Sequence, residues 1–170
     1  MIHLSKASKM PCRSWSLQAG STCPGSIDPK TKKPVDVCAG CYAKLGNYNY
    51  SNVKIPRENN RLDWIKPDWV ERMVAELDND RYFRWFDSGD VYHPLLAEKI
   101  YLVMKNTPWC KHWLPTKSYK IPRIKVWLTK MKKLPNVMVR YSSDSTLGKY
   151  TRDHGSTVIP SSEYATKAFV

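Results

Sequence analysis

No stretch of this 170-residue chain stays apolar for the ~20 residues that a membrane-spanning helix needs. The opening segment, Met1 to Met10, lacks both the apolar core and the small-residue cleavage site of a secretory signal. These absences predict a soluble, cytoplasmic protein with no membrane partner. Disulfides are rare in that compartment. The cysteine count, five, is odd and does not close a disulfide framework. Acidic residues are scarce too: 15 stand against 28 lysines and arginines, for a net charge of +13. That excess favours acidic partners, among them nucleic acid and small anionic substrates. Between Lys111 and Lys133 there are eight basic residues and no acid. The stretch reads as the solvated face of a basic helix or as an anion-binding face.

Aromatic residues, by contrast, are plentiful. Seven Trp and ten Tyr, in a chain that is 42% hydrophobic, exclude disorder. The length predicts one domain, residues 1–170. Periodicity is missing from residues 11–50, which are rich in Pro, Gly, Ser, Asn and Cys. An irregular stretch of that length needs something to hold it.

From 57 to 145 the pattern becomes regular. In "PDWVERMVAEL", Trp69, Val70, Met73, Val74 and Leu77 share one helical face. "RYFRWF" (81–86) reads as a strand. "PLLAEKIYLVMK" is helical, with Leu96, Ile100, Val103 and Met104 inward. "KHWLPTKS" reads as a strand. "PRIKVWLTKMKKL" is a helix with Ile124, Trp127, Leu128, Met131 and Leu134 inward, and "NVMVRYSSDS" is another strand. Polar strand ends begin at 86, 115 and 141, which are 29 and 26 residues apart. That spacing predicts β/α units of a parallel sheet. The expected fold is α/β: a short parallel sheet or partial (β/α) barrel with an irregular cysteine-rich N-terminal loop. Residues 146–170 are weakly patterned, and only "STVIP" reads as a further strand.

Right-handed crossovers bring the polar strand ends to one edge, where ligands bind in parallel α/β folds. "DSGDVYH" places Asp87, Asp90 and His93 there as candidate acids and bases. Gly89 lets the backbone approach a ligand. Helix capping is the competing role for Asp90. Thr116 and Lys117 end the next strand, and Lys117 can neutralise an anionic substrate. Ser142, Ser143 and Asp144 end the third, where turn chemistry is the simpler role because no G-x-S-x-G elbow is present. Arg57, Asn59, Asn60 and Arg61, in "NYNYSNVKIPRENNRL", are either an anion site or a solvated helix start. His3, His112 and His154 have no partner visible in the sequence.

Cys38 and Cys41 form a CxxC, and residues 24 to 37 separate them from Cys23. Close-set thiolates of this kind bind zinc or an iron–sulfur cluster. Three thiolates leave a fourth position for water, substrate or another residue, and Cys12 is the nearest candidate. Cys110 lies far off in sequence.

A cysteine loop ahead of parallel β/α units resembles the layout of radical S-adenosylmethionine enzymes, although the spacing departs from their CxxxCxxC. In that superfamily a glycine-rich stretch after the second strand contacts the methionine amine, and "SGD" holds a similar place. "SWSLQAG", "TCPGS", "CAGCYA", "FRWFDSGDVY", "WLPTKS" and "VMVRYSSDS" together resemble the phage gene product eighty-eight family. The resemblance implies an iron–sulfur protein, expected to carry a 4Fe-4S cluster on Cys23, Cys38 and Cys41, with S-adenosylmethionine a candidate second cofactor. Asp87, Asp90, His93 and Lys117 are the candidate catalytic groups, and Gly89, Thr116 and Ser142 the candidate cofactor contacts. Two other readings fit the same residues. One is a metal-dependent ester or phosphate hydrolase without redox chemistry. The other is a zinc-stabilised nucleic-acid-binding module driven by the basic charge.

Overall fold

A computed structural model describes residues 1–6, 10–148, 155–159 and 161. The expected alternation of strands and helices is present, with two additions near the N terminus. Five strands form one sheet in sequence order: β1 (Leu4–Ser5), β2 (Arg13–Trp15), β3 (Tyr82–Trp85), β4 (Lys111–Thr116) and β5 (Val137–Tyr141). Strand β1 pairs antiparallel with β2, and every later pairing is parallel. The sheet does not close. Its far edge continues for one bridge, Ser142 to Ser156, at the start of the "STVIP" segment.

Five α-helices are present among the described residues. A one-turn α1 (Asp36–Ala39), α2 (Ser51–Asp63) and α3 (Trp69–Glu76) lie between β2 and β3. Helix α4 (Pro94–Asn106) links β3 to β4, and α5 (Pro122–Met131) links β4 to β5. Because each parallel strand is added beside the last, right-handed crossovers put the linking helices on one face. Strand side chains alternate accordingly. Phe83, Trp85, Leu114, Val139 and Tyr141 are buried and belong to the same core as Trp69, Met73, Leu96, Ile100, Ile124 and Leu128 from the helices. Tyr82, Lys111, Trp113, Met138 and Arg140 point the other way and are exposed.

The predicted inward faces of α3, α4 and α5 are the observed ones. Trp69, Met73 and Leu77 are buried, with Val70 and Val74 packed against them. Two expectations need correction. Residues 11–50 contain β2, a strand too short to show a period but fixed by parallel pairing to β3. "SNVKIPRENNRLD" is a full helix rather than only a helix start, with Pro56 inside it. Its buried residues are Arg57, Asn60 and Asp63, whereas Ile55 and Leu62 are exposed. Polar bonds hold that inward face. Asp63 pairs with Arg72, Lys66 and the N-terminal amine. Asn60 bonds the backbone of His3 in both directions and also Ser16 O.

The histidines fall apart in role. His112 is buried, and its Nδ1 accepts from Trp85 Nε1 at 3.2 Å. Its Nε2–H therefore faces Thr107 Oγ1 at 2.8 Å, while that hydroxyl donates to Val103 O. This chain of bonds needs a neutral ring, and burial lowers the pKa to about 4. His3 stands against Asn59. His154 lies outside the described residues.

Candidate functional site

The segment from Leu17 to Tyr50 is short of regular structure but not of bonds. Leu17 N–H donates to Ser88 O, and Ser88 Oγ returns to Leu17 O. Asp90 N–H donates to Thr22 O. Those bonds tie the loop to the end of β3. Lys120 Nζ reaches Gly25 O at 2.9 Å, and Gly25 packs so closely that an added Cβ would fall on the Lys117 carbonyl. That ties it to the end of β4. Val37 N–H donates to Asp144 O at 3.1 Å, beyond the end of β5. The cysteine loop thus lies across the carboxyl edge of the three parallel strands β3, β4 and β5.

The long gap between Cys23 and Cys38 folds back on itself. Ile27 and Pro34 form an antiparallel bridge, Val35 N–H donates to Ser26 O, and Asp28 N–H donates to Lys33 O. The Asp28 carboxylate caps the tip by accepting from the N–H groups of Lys30 and Thr31, each at 2.8 Å. Ser26 follows Cys23 by three positions, and Cys38 follows Val35 by three. The closed turn therefore returns the chain from Ser26 to Val35 and brings the two cysteines to the base of the same turn.

Cys23, Cys38 and Cys41 line one cavity of about 280 Å³. Asp87, Gly89, Asp90, Thr116, Lys117 and Ser142 line it as well. Nine residues singled out from the sequence thus meet at one place. Two do not join them. Cys12 precedes β2, at the opposite, amino edge of the sheet, and its electrostatic neighbours are Arg84 and Asp80. It is not placed to serve as a fourth ligand to this loop. His93 caps α4, its Nδ1 accepting from Leu95 N–H at 3.1 Å, and its ring lies 5.7 Å from that of Trp64. The capping role weighed for Asp90 thus belongs to His93.

Asp90 instead bridges two strand ends. One oxygen accepts from Thr116 Oγ1 at 2.6 Å and from Val91 N–H, and the other accepts from Lys117 N–H at 2.8 Å. Burial raises its pKa, and these hydrogen bonds pull in the opposite sense. Asp87 is reached through a left-handed turn. Phe86 has φ 62° and Gly89 φ 76°, so the chain swings sharply out of β3. The Asp87 carboxylate pairs with the buried Arg57 at 3.0 Å, and its carbonyl accepts from Tyr42 Oη.

Burial raises the thiols of Cys23 and Cys38. Cys23 is pushed up to about 11, with the neighbouring Asp90, Cys41 and Cys38 adding to the shift. Cys38 is raised by burial and drawn back by Lys117. Burial lowers Lys117, whose Nζ donates to Ser143 O and approaches Asp144. Lys44 and Arg84 also line the cavity. Neither was singled out from the sequence, because nothing local marks a lysine or a strand arginine as facing a site.

Among the described residues, no three His, Cys, Asp or Glu side chains gather closely enough to surround one metal ion. No helix among them is long and apolar enough to cross a membrane. The Gene product 88 family matches residues 2–168. The chain belongs to the Gene product 88 family. This fits a phage origin. No curated protein and no solved structure matches the chain. For this Gene product 88 chain, the chemistry of the site must be argued from its own residues.

Proposed function

We propose that this Gene product 88 chain is an iron–sulfur enzyme whose cluster binds in the carboxyl-edge cavity through Cys23, Cys38 and Cys41. One observation carries the reading: three thiols separated in sequence line a single cavity with the polar ends of β3, β4 and β5. The donor set suits the group. Thiolates hold such clusters, and Lys44, Arg84 and Lys117 supply positive charge around an anionic centre. A 4Fe-4S cube spreads its thiolates over several irons, so its ligands stand further apart than those of one zinc ion.

A cluster held by three thiolates keeps one iron free for an exchangeable ligand, which supplies electron transfer or Lewis-acid activation. The chain's own residues would position that ligand. The Ser88–Gly89 backbone, with Gly89 at φ 76°, lines the cavity and would be the group to contact the amine of S-adenosylmethionine if that cofactor binds. Asp90 fixes the Thr116–Lys117 strand end against it. Lys117 would supply positive charge to an anionic ligand, and Asp87 lines the same cavity with its carboxylate held by Arg57.

Purification without oxygen tests the proposal. The expected product is brown, with matching iron and acid-labile sulfide, and Cys38→Ala loses both. A colourless protein without iron would overturn it. With a cluster present, S-adenosylmethionine and a reductant should release methionine and 5′-deoxyadenosine. Absence of binding and cleavage would remove the radical chemistry while leaving the cluster.

A further inference from the structure

A second cavity, of about 350 Å³, is lined by residues of β1 and α2. It meets the cysteine cavity at Asp87, which lines both. Arg57 lines this second cavity while only 6% exposed. Its guanidinium is fixed on two sides. Nη2 donates to the Asp87 carboxylate at 3.0 and 3.3 Å, and the Tyr48 ring lies 4.6 Å from the guanidinium carbon. Nη1 is buried and has no hydrogen-bond partner among the described residues.

An arginine carries a fork of donors that suits a planar or tetrahedral oxyanion. Pairing with Asp87 uses one arm of that fork and leaves the other inside the protein, which is costly for a charged donor. The remaining lining is suited to negative charge. Lys6, Asn47 and Asn52 bring N–H donors, and the sole acid, Asp87, is already neutralised by Arg57.

We propose that this cavity binds an oxyanion group, a carboxylate or a phosphate, on Nη1 of Arg57, with Lys6 and Asn52 as supporting donors. The site does not depend on a cluster in the neighbouring cavity. It gives a small anionic ligand a fixed anchor beside Asp87, on the far side of that residue from the cysteines.

The test is calorimetric titration with inorganic phosphate and with malonate, at constant ionic strength. At least one should bind saturably at one site, and the better of the two identifies the anion class. Arg57→Lys keeps a charge for Asp87 but loses the fork. Asn52→Asp places a carboxylate at the exposed start of α2, where a helix tolerates an acid, and leaves the Arg57–Asp87 pair intact. Each variant should weaken binding by about tenfold or more. The chain prepared free of iron should bind like the chain purified without oxygen. The proposal fails if neither anion binds, if Asn52→Asp or a folded Arg57→Lys binds undiminished, or if binding is lost in the iron-free chain. Should Arg57→Lys not fold, Asn52→Asp decides alone.

Discussion

Asp90 accepts a hydrogen bond from the Thr116 hydroxyl at 2.6 Å, joining the end of β3 to the end of β4 inside the protein. The same carboxylate takes the N–H groups of Val91 and Lys117. Its role is to hold two strand ends in register below the cysteine cavity. Asp90→Ala strands those donors, and the expected cost is about 2–4 kcal/mol. Asp90→Asn recovers little, since its amide offers one acceptor and turns a donor toward another donor. Urea unfolding of both variants checks this. An Asn variant as stable as the parent would show that the contacts do not need a carboxylate.

Acid should weaken the fold in a defined window. The His112 pKa is about 4 in the folded chain, below the ordinary value of about 6.5. A depressed value means that protons bind the unfolded chain more readily. The stability from neutral His112 is fully present above pH 6.5 and is lost as pH falls toward 4, by about 3 kcal/mol. Asp63 acts lower still: burial works against its charge, but the bonds from Arg72, Lys66 and the N-terminal amine win, so its contribution fades only in stronger acid. Unfolding curves at pH 7 and pH 4.5 should separate clearly, and the gap should shrink in His112→Gln.

Gly89 and Gly25 should both resist substitution. At Gly89, φ of 76° disfavours any side chain, and a Cβ would stand 2.7 Å from Thr22 Oγ1 and 2.9 Å from Leu17 O. Gly89→Ala is expected to cost about 2–4 kcal/mol. Gly25 has an ordinary φ, so Gly25→Ala acts purely by pushing the loop off the Lys117 backbone. It should lower metal uptake more than it lowers the unfolding midpoint. Equal losses in both would mean that the loop and the sheet unfold as one.

The cysteines should divide by position. Cys23→Ser, Cys38→Ser and Cys41→Ser should each remove iron from the anaerobically purified protein, and Cys12→Ser should leave it unchanged. Iron content by absorption spectroscopy gives the answer. In the metal-free chain the Cys23 thiol, at about 11, holds roughly a hundredfold less thiolate at pH 8 than a thiol titrating at 9. Alkylation of Cys23 should therefore lag far behind that of a free thiol, and metal uptake should rise steeply with pH.

The regular half of the fold is legible because its inward faces are apolar. Leu96, Ile100 and Met104 repeat at helical spacing, and the aromatic run around Phe83 marks a strand. Helix α2 breaks that correspondence, since ion pairs and amide bonds do the work of hydrophobic burial and Ile55 and Leu62 face water. Strand β2 is invisible for a different reason. Three residues carry no period, and pairing with β1 and with β3, far along the chain, makes them a strand. The site follows the same division. Asp87, Gly89, Thr116, Lys117 and Ser142 line one cavity because parallel strands bring their carboxyl ends to one edge of the sheet. The pairing of Arg57 with Asp87 joins positions 30 apart, where sequence spacing carries no signal, and the fold-back that closes the Cys23–Cys38 gap rests on a local turn around Asp28 that shows no period.

The hydrogen bond from Val37 to Asp144, and the packing of Gly25 on Lys117, set an order of events. A ribosome releases all three cavity cysteines before any of β3, β4 or β5 has been made. The surfaces that shape their loop come last. During synthesis the thiols stand without their frame, so the cluster proposed for them would load only after β3, β4 and β5 have formed beneath them. A cell making this protein needs its cysteines kept reduced for that interval, and an oxidising pulse early in translation should do more harm than one applied to the finished chain.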